Sequence, residues 1–479
     1  MKIKVRYLNN KLFFTLLHFL VLSLVFSSNL NADPAERAEL TPEIVAKSSV
    51  NYHPLVKATE TELDQAEGEL LTSQGAFDPV IKGAGGTYAT GDYTGSYYGA
   101  TIEQPLEFMG SRIFAGYREG GGSFPIYENE FETNDDGESR VGFELPLLRD
   151  SDTDRRRTNI QRNILQKVIA SNNIEQRKIE LTRASYFAFF EWASANIKLK
   201  IFKNLVKIAE ERDQQLRTRQ VNGDIPEFDV LDNMRAVLQR RSQEKQAQAV
   251  LRKSEFELSL LLRDESGSQI NPEQYSFPST LREPDQISLN DKELHLNIAK
   301  EQRPELKRIR SQIDQLELEL KLNDNQRLIR SDLFAQSSQD FGTGSTSKDD
   351  TETKLGIKFE IPLRFRTQDG RESTLSARSR ELSLQKEFLL QRISTDILDA
   401  LTAYSISQER FMIAKKEAKA AEDLENGERK RLELGDSNLI FVNIRELTTA
   451  DAKIRVVDSI VDLWRAKINL NAAKGYYLQ

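Results

Sequence analysis

From Arg155 to Gln220 the chain carries neither glycine nor proline. It is built there mainly of Ile, Leu, Ala, Glu, Lys, Arg and Gln, most of them good helix formers. The "SDTD" at 151–154 supplies N-cap candidates immediately before it. An unbroken helix of that length spans roughly 100 Å at 1.5 Å per residue. Apolar residues at four-residue steps, Ile160, Ile164 and Val168 among them, read as a coiled-coil stripe. The run breaks at "RQVNGDIPEFDVL" (219–231), and Leu231, Met234 and Leu238 restart the stripe toward Leu262. Far downstream the same thing happens. Helical composition from about Thr374 to Arg431 breaks at "LELGDSNLIFVNI" (432–444), and a second run follows from Leu439 to Ala473.

The two halves match beyond this. "LDQAEGEL" (63–70) aligns with "IDQLELEL" (313–320), and Pro54 with Pro304, at an offset of 250. "FELPL" (143–147) aligns with "FEIPL" (359–363) at 216. Gly223-Asp224 aligns with Gly435-Asp436 at 212, as do Trp192 with Tyr404, Leu251 with Leu463 and Leu258 with Leu470. Matches that keep one order along the chain indicate an internal duplication. Each half is then a short helical entry, a few strands, a very long helix, a Gly-Asp break and a return helix. The expected division is a first repeat over 33–262 and a second over 291–479. The first has hairpins in 77–149 and a tip near 221–226. The second has a hairpin in 331–363 and a tip near 434–438. The polar, Pro-containing segment 263–290 links them. The first half has 34 more residues before its last strand, 89 between Pro54 and Phe143 against 55 between Pro304 and Phe359. Two readings are open for them: an added hairpin turning at "EFMG" (107–110), or a long extracellular loop.

The strands alternate strictly. Leu355, Ile357, Phe359, Ile361 and Leu363 share one face against Lys354, Gly356, Lys358 and Glu360. Val141, Phe143, Leu145 and Leu147 oppose Arg140, Gly142 and Glu144, and Tyr98, Ala100 and Ile102 oppose Gly99, Thr101 and Glu103. Period two marks strands with one apolar and one polar face. Such a strand suits a half-buried soluble sheet. In an exported chain, with tyrosine, glycine and acidic loops, it suits the wall of a membrane barrel.

Export is read from the N-terminus. Lys2, Lys4, Arg6 and Lys11 precede an apolar run from Leu12 to Phe26 and small polar residues up to Ala32, so 1–32 is expected to be a secretory signal peptide. The mean hydropathy of -0.54 and 29% charged residues exclude a polytopic helical membrane protein. A net charge of -7 leaves no electrostatic footprint for nucleic acid. There is no cysteine, hence no disulfide, no lipidated cysteine and no thiol nucleophile. His18, His53 and His295 are the only histidines, and no two have metal-ligand spacing. "GAGG" (83–86) lies in an expected strand and opens no helix, so it is no phosphate loop. No enzyme, cofactor or metal is expected.

The paired starts "HPLVKA" and "RPELKR", the strand ends "QPL", "LPL" and "IPL", and the two Gly-Asp breaks followed by "FDVLDN" and "IFVNIREL" together resemble the TolC family of outer-membrane efflux and secretion channels. The resemblance covers essentially the whole mature chain and rests on the order of the motifs, repeated twice. It implies a membrane β-barrel joined to a long α-helical coiled-coil barrel, with a homotrimer closing one shared barrel. It places the chain in the outer membrane of a Gram-negative bacterium, with helices reaching into the periplasm. The implied work is passive export of small molecules or type I secretion. The implied partners are a periplasmic adaptor (a membrane fusion protein), an inner-membrane pump of RND or ABC type, and outer-membrane lipid. In the family a repeat contributes one hairpin, so the 34 added residues depart from the pattern. The competing reading is a periplasmic coiled-coil adaptor or structural rod without a pore.

Candidate sites follow from this resemblance. Asp229 and Asp232 stand where family members place aspartates at the pore entrance; a ring of three such charges attracts cations. Acids near a helix start also simply complement its dipole. Phe441 and Ile444 occupy the matching places in the second half, and Phe441 is a candidate apolar constriction. The tips, Val221, Gly223, Asp224, Ile225 and Pro226 in one half and Leu434, Gly435, Asp436 and Ser437 in the other, are the expected adaptor contacts. Arg155, Arg156, Arg157, Arg364 and Arg366 follow the last strands and are candidates for meeting anionic headgroups. A solvated basic helix start is the alternative for them.

Overall fold

The computed structural model describes residues 38–278, 280–288 and 291–477. The expected signal peptide lies outside the described residues. Helices α1 (Pro42–Tyr52) and α2 (Pro54–Gln74) open the first half, and α5 (Lys292–Gln302) and α6 (Pro304–Asn325) open the second. Both pairs break at a proline. His53 and Arg303 are extended, as residues before proline tend to be, and the helix restarts with proline at its first position.

Strands β1 (Val80–Thr87), β2 (Ser96–Pro105), β3 (Arg112–Gly121) and β4 (Glu138–Pro146) follow in the first half; β5 (Arg330–Asp340) and β6 (Glu352–Glu360) follow in the second. They form one antiparallel sheet in the order β1-β2-β3-β4-β5-β6. The 34 added residues are therefore a hairpin and not merely a loop. Its turn falls at "EFMG", where Met109 and Gly110 take φ values of 51° and 64°. A side chain at Gly110 would also strike the Asp150 carbonyl at 2.6 Å, so that turn needs glycine twice over. β4 pairs with β5 (Phe143 with Ala335), which stitches the two halves into one sheet.

The long helices are α3 (Arg155–Val221, 67 residues), α4 (Glu227–Ser259), α7 (Arg366–Glu433, 68 residues) and α8 (Leu439–Lys474). Asp154 caps α3, accepting from the amides of Arg156 and Arg157 at 2.7 and 3.0 Å. The helix α7 begins earlier than its composition suggested and runs through Gly370. The apolar stripe differs from the sequence reading. Ile164, Val168, Leu231, Met234 and Leu238 are exposed and Ile160 is half-buried. The buried faces are Asn163, Ile169, Ala170 and Ile174 on α3 and Val230, Asn233, Val237 and Arg240 on α4. Within one chain polar residues occupy the seam, and the apolar stripe faces outward.

Midway along the helices lies the main core. Trp192 is fully buried, stacked on Phe277 at 4.3 Å, and Phe190 stacks on Trp464 at 4.8 Å. Leu40 and Val45 from the entry and Leu258 and Leu262 from the end of α4 complete it. The linking segment straps across both long-helix pairs here: its Phe277 meets Trp192 of α3, while the Trp464 indole of α8 donates to the Arg282 carbonyl at 2.7 Å and the Tyr404 hydroxyl of α7 to the Asp285 carbonyl at 3.3 Å. Apart from the exposed Gly-Asp turns, the pairs matched at the 212 offset (Trp192 with Tyr404, Leu251 with Leu463, Leu258 with Leu470) are buried. Trp192→Ala is expected to lower stability by about 3–5 kcal/mol. Denaturant unfolding followed by helical circular dichroism checks this; a loss under about 1 kcal/mol would show that the core does not hinge on this ring.

Candidate functional site

The two ends of the long helices are built alike. At the end of α3 the Asp224 amide donates to the Arg219 carbonyl (2.9 Å) and the Gly223 amide to that of Gln220 (3.0 Å). At the end of α7 the Asp436 amide donates to Arg431 (2.9 Å) and the Gly435 amide to Leu432 (3.1 Å). These are paired Schellman turns, and each needs its left-handed glycine: φ is +82° at Gly223 and +81° at Gly435. The restarts differ. Pro226 stands at the N-cap of α4 with no side-chain bond to offer, whereas Asn438 caps α8 through the Phe441 amide at 3.2 Å.

Around these turns the expected tip residues are mostly exposed, Val221 at 86% and Leu434 at 83%, with Ile225 and Ser437 half-buried. Asp436 sits beside Arg431, which donates to its carbonyl at 3.0 Å, and the Ser437 hydroxyl donates to Glu428. Asp229 lies in the first turn of α4 and Asp232 one turn on, paired with Arg235 at 3.3 Å. Both are half-buried, and the helix-start placement of Asp229 is the one its dipole favours. Phe441 is half exposed. Two apolar side chains that the sequence reading passed over, Phe228 (73%) and Ile440 (54%), are exposed beside Leu231, Phe441 and Ile444. Their signal was there: Phe228 and Leu231 share a face at a three-residue step, next to a break.

A buried charge cluster lies about two to three turns above the tips. Glu446 on α8 is 1% exposed. It receives Arg212 from α3, Arg240 from α4 (2.8 Å) and Arg429 from α7 (2.6 Å). Asn443 adds bonds to Arg212 (2.6 Å) and Arg240 (3.2 Å), and Arg240 also donates to the Leu205 carbonyl. One carboxylate therefore ties all four long helices together. Burial alone would push the Glu446 carboxyl up, but hydrogen bonds and charge from Arg212 and Arg240 outweigh it and hold the group below the usual carboxylate range.

The basic clusters are divided in use. Arg157 folds back onto its own helix start, bonding Asp154 at 2.6 Å and the Asp150 and Ser151 carbonyls at 2.9 Å, so it serves the turn. Arg155, Arg156, Arg364 and Arg366 are exposed just past the strands, with Arg156 over the Phe77 ring at 6.0 Å. Arg371 pairs with Glu319.

Beyond them the sheet has two unlike faces. Ile81, Tyr98, Ile102, Ile113, Val141, Phe143, Leu355, Ile357 and Phe359 form a continuous exposed apolar surface. On the other face charges alternate from strand to strand: Lys82 to Glu103 (2.7 Å), Glu103 to Arg112 (3.2 Å), Arg112 to Glu144 (2.6 Å), and Glu144 to Arg330 (3.9 Å) and Lys358 (4.0 Å). Among the described residues no group of three or more His, Cys, Asp or Glu could hold a metal ion, and no helix is long and apolar enough to cross a membrane.

This architecture is that of the TolC-family outer-membrane channels. The chain is similar in structure to the Campylobacter jejuni CmeC outer-membrane channel (10% identity, 93% of this chain and 90% of that one, TM-score 0.63). It is likewise similar to the outer-membrane protein VceC of Vibrio cholerae (13%, 91% and 97%, 0.62). The open state of the Neisseria gonorrhoeae MtrE outer-membrane channel is a third (11%, 92% and 91%, 0.62). No family model and no curated protein matches the sequence. The likeness at such low identity is one of fold, and it is the fold that the paired motifs led one to expect.

Because Glu446 titrates lower in the folded chain, its contribution is fully present above the unfolded glutamate value, about 4.3. It is lost as pH falls through the lower folded value. Protection against hydrogen exchange over 205–240 and 425–450, taken relative to the intrinsic amide rate at each pH, should therefore fall below about pH 4, ahead of the Trp192 core. Glu446→Gln is expected to weaken the same segments by about 3–5 kcal/mol at neutral pH and to abolish that acid step, since Arg212 and Arg240 lose their counter-charge. Wild-type protection over these segments that stays constant between about pH 7 and pH 3, once corrected for the intrinsic rate, would contradict this.

Proposed function

We propose that this chain is one third of an outer-membrane exit duct, a passive conduit for small molecules or secreted polypeptides. The observation that carries the reading is the two-faced sheet. An exposed apolar surface of this extent needs an occupant, and lipid suits a wall of alternating strands whose other face is polar. A pore-free periplasmic rod leaves that surface bare. In lipid an open sheet cannot stand alone, so the chain assembles as a homotrimer around one barrel. The recurrence of element order and of matched buried positions supports an internal duplication, giving two unlike helical hairpins per copy.

In this reading the helices descend into the periplasm and the tips at Gly223 and Gly435 meet a periplasmic adaptor, with an RND- or ABC-type pump in the inner membrane supplying energy. The exposed apolar residues Val221, Phe228, Leu434 and Ile440 give such a partner a surface to bury. Asp229 and Asp232 line the entrance as an acidic ring, and Phe441 narrows it. Arg155, Arg156, Arg364 and Arg366 face headgroup phosphates at the inner edge of the barrel.

Two measurements test this. The chain should fractionate with outer membranes and migrate as a heat-dissociable trimer; a soluble periplasmic monomer would rule the duct out. In planar bilayers the double substitution Asp229→Ala, Asp232→Ala should abolish block by multivalent cations added at the tip side. Unchanged block would remove these residues from the entrance while leaving the duct in place.

A further inference from the structure

The sheet ends in two unlike edges. β1 (Val80–Thr87) pairs only with β2, and β6 (Glu352–Glu360) only with β5. We propose that three copies of this chain close one barrel of eighteen strands, β6 of each copy pairing antiparallel with β1 of the next so that Glu360 meets Lys82 across the seam. The inference rests on the trimeric duct and adds the strand count, the partner edge and the register.

Charge singles out that register. On the polar face Glu103 and Arg112 each have two opposite neighbours and Glu144 has three. The chain of pairs runs out at the two edges. The Lys82 side chain remains 59% exposed with Glu103 as its partner, and that of Glu360 is 65% exposed with Arg149 at 4.0 Å. Glu360 lies opposite Arg330 on β5, so setting it opposite Lys82 continues the alternation of charge across the seam. A slip by two residues puts Lys82 opposite Lys358, and like charges directly opposite destabilise a strand pair.

Shape selects the same register. With Glu360 on Lys82, Phe359 falls opposite Gly83 and Ile357 opposite Gly85, all on the apolar face. Phe359 (74% exposed) and Ile357 (59%) are bulky and uncovered, and β1 offers glycines in return. The sheet already uses this device: Phe114 covers its cross-strand partner Gly142, and Phe334 covers Gly356, each so closely that a Cβ would meet the ring at 2.5 Å. Aromatic side chains laid over cross-strand glycines are a known way to pin register. The hairpin β2–β3 thus widens the wall. Eighteen strands 4.8 Å apart and tilted about 40° close at roughly 36 Å between opposite backbones, against about 24 Å for twelve. Barrels of that strand number hold an aqueous channel.

The natural absence of cysteine makes the test clean. Full-length Lys82→Cys, Glu360→Cys protein in its membrane, oxidised or treated with a short bismaleimide, should form covalent dimers and trimers. Lys82→Cys, Lys354→Cys places its thiols on the same face but about 20 Å apart along the strands, and should stay monomeric on denaturing gels. Lys82→Glu and Glu360→Lys should each lower the temperature at which the trimer dissociates, and the double exchange should restore it. Heat-dissociable trimers without the Lys82–Glu360 cross-link, or with equal cross-linking of the two pairs, would overturn the eighteen-strand closure while leaving the trimeric duct standing. Loss of the trimer itself would remove both. A cross-link confined to single chains would contradict the seam and show that one copy closes on itself.

Discussion

In the proposed duct the governing constraint is the backbone amides and carbonyls at a sheet edge that lipid cannot satisfy. Water forgives an open edge; hydrocarbon charges several kcal/mol for each unpaired group. A six-stranded sheet with an exposed apolar face is therefore an incomplete object. In the duct proposed here, completion by other copies makes the assembly symmetric, and the helices that leave the sheet inherit that symmetry. In that assembly the long proline-free helices become staves standing beneath the wall. The hairpin added at "EFMG" changes the circumference without changing this logic, because it supplies two strands that pair fully with their neighbours.

The far end of the staves obeys a different constraint. The two turns are geometrically equivalent, yet their sequences are not: an uncapped Pro226 with acids follows one, a capping Asn438 with apolar residues follows the other. Above them Glu446 gathers arginines from three other helices. Buried ion clusters often contribute little net stability compared with apolar packing, but breaking one is expensive. What this cluster contributes is definition: it ties both helical hairpins of a chain together at one height.

Local rules were legible wherever one residue type is demanded by the backbone. Gly223 and Gly435 at left-handed turns, Asp154 at a helix start, prolines opening α2 and α6, and period two in β2, β4 and β6 all read directly from the chain. Three things did not. The seam within one chain was not read, because Asn163, Asn233 and Arg240 sit in it while Leu231 and Leu238 face outward. The Glu446 cluster was invisible because its partners lie more than two hundred residues away in the chain, except Arg429, and charges are common on helices. The added hairpin was ambiguous because the glycines at 120–122 and the acids of 128–136 read as loop, though Gly120 and Gly121 end β3 and only the residues after them form the outer connection. In each case a tertiary partner decided between locally equivalent readings.

The central claim is that no sheet edge is left open in the working protein. Residue-resolved hydrogen exchange of the lipid-embedded protein tests it most directly, through those amides of β1 and β6 that bond neither β2 nor β5. If neighbouring copies complete the wall, these amides are protected as strongly as those in the interior strands β3 and β4. Exchange within minutes at β1 and β6, beside protected interior strands, would mean an open sheet and would contradict the account.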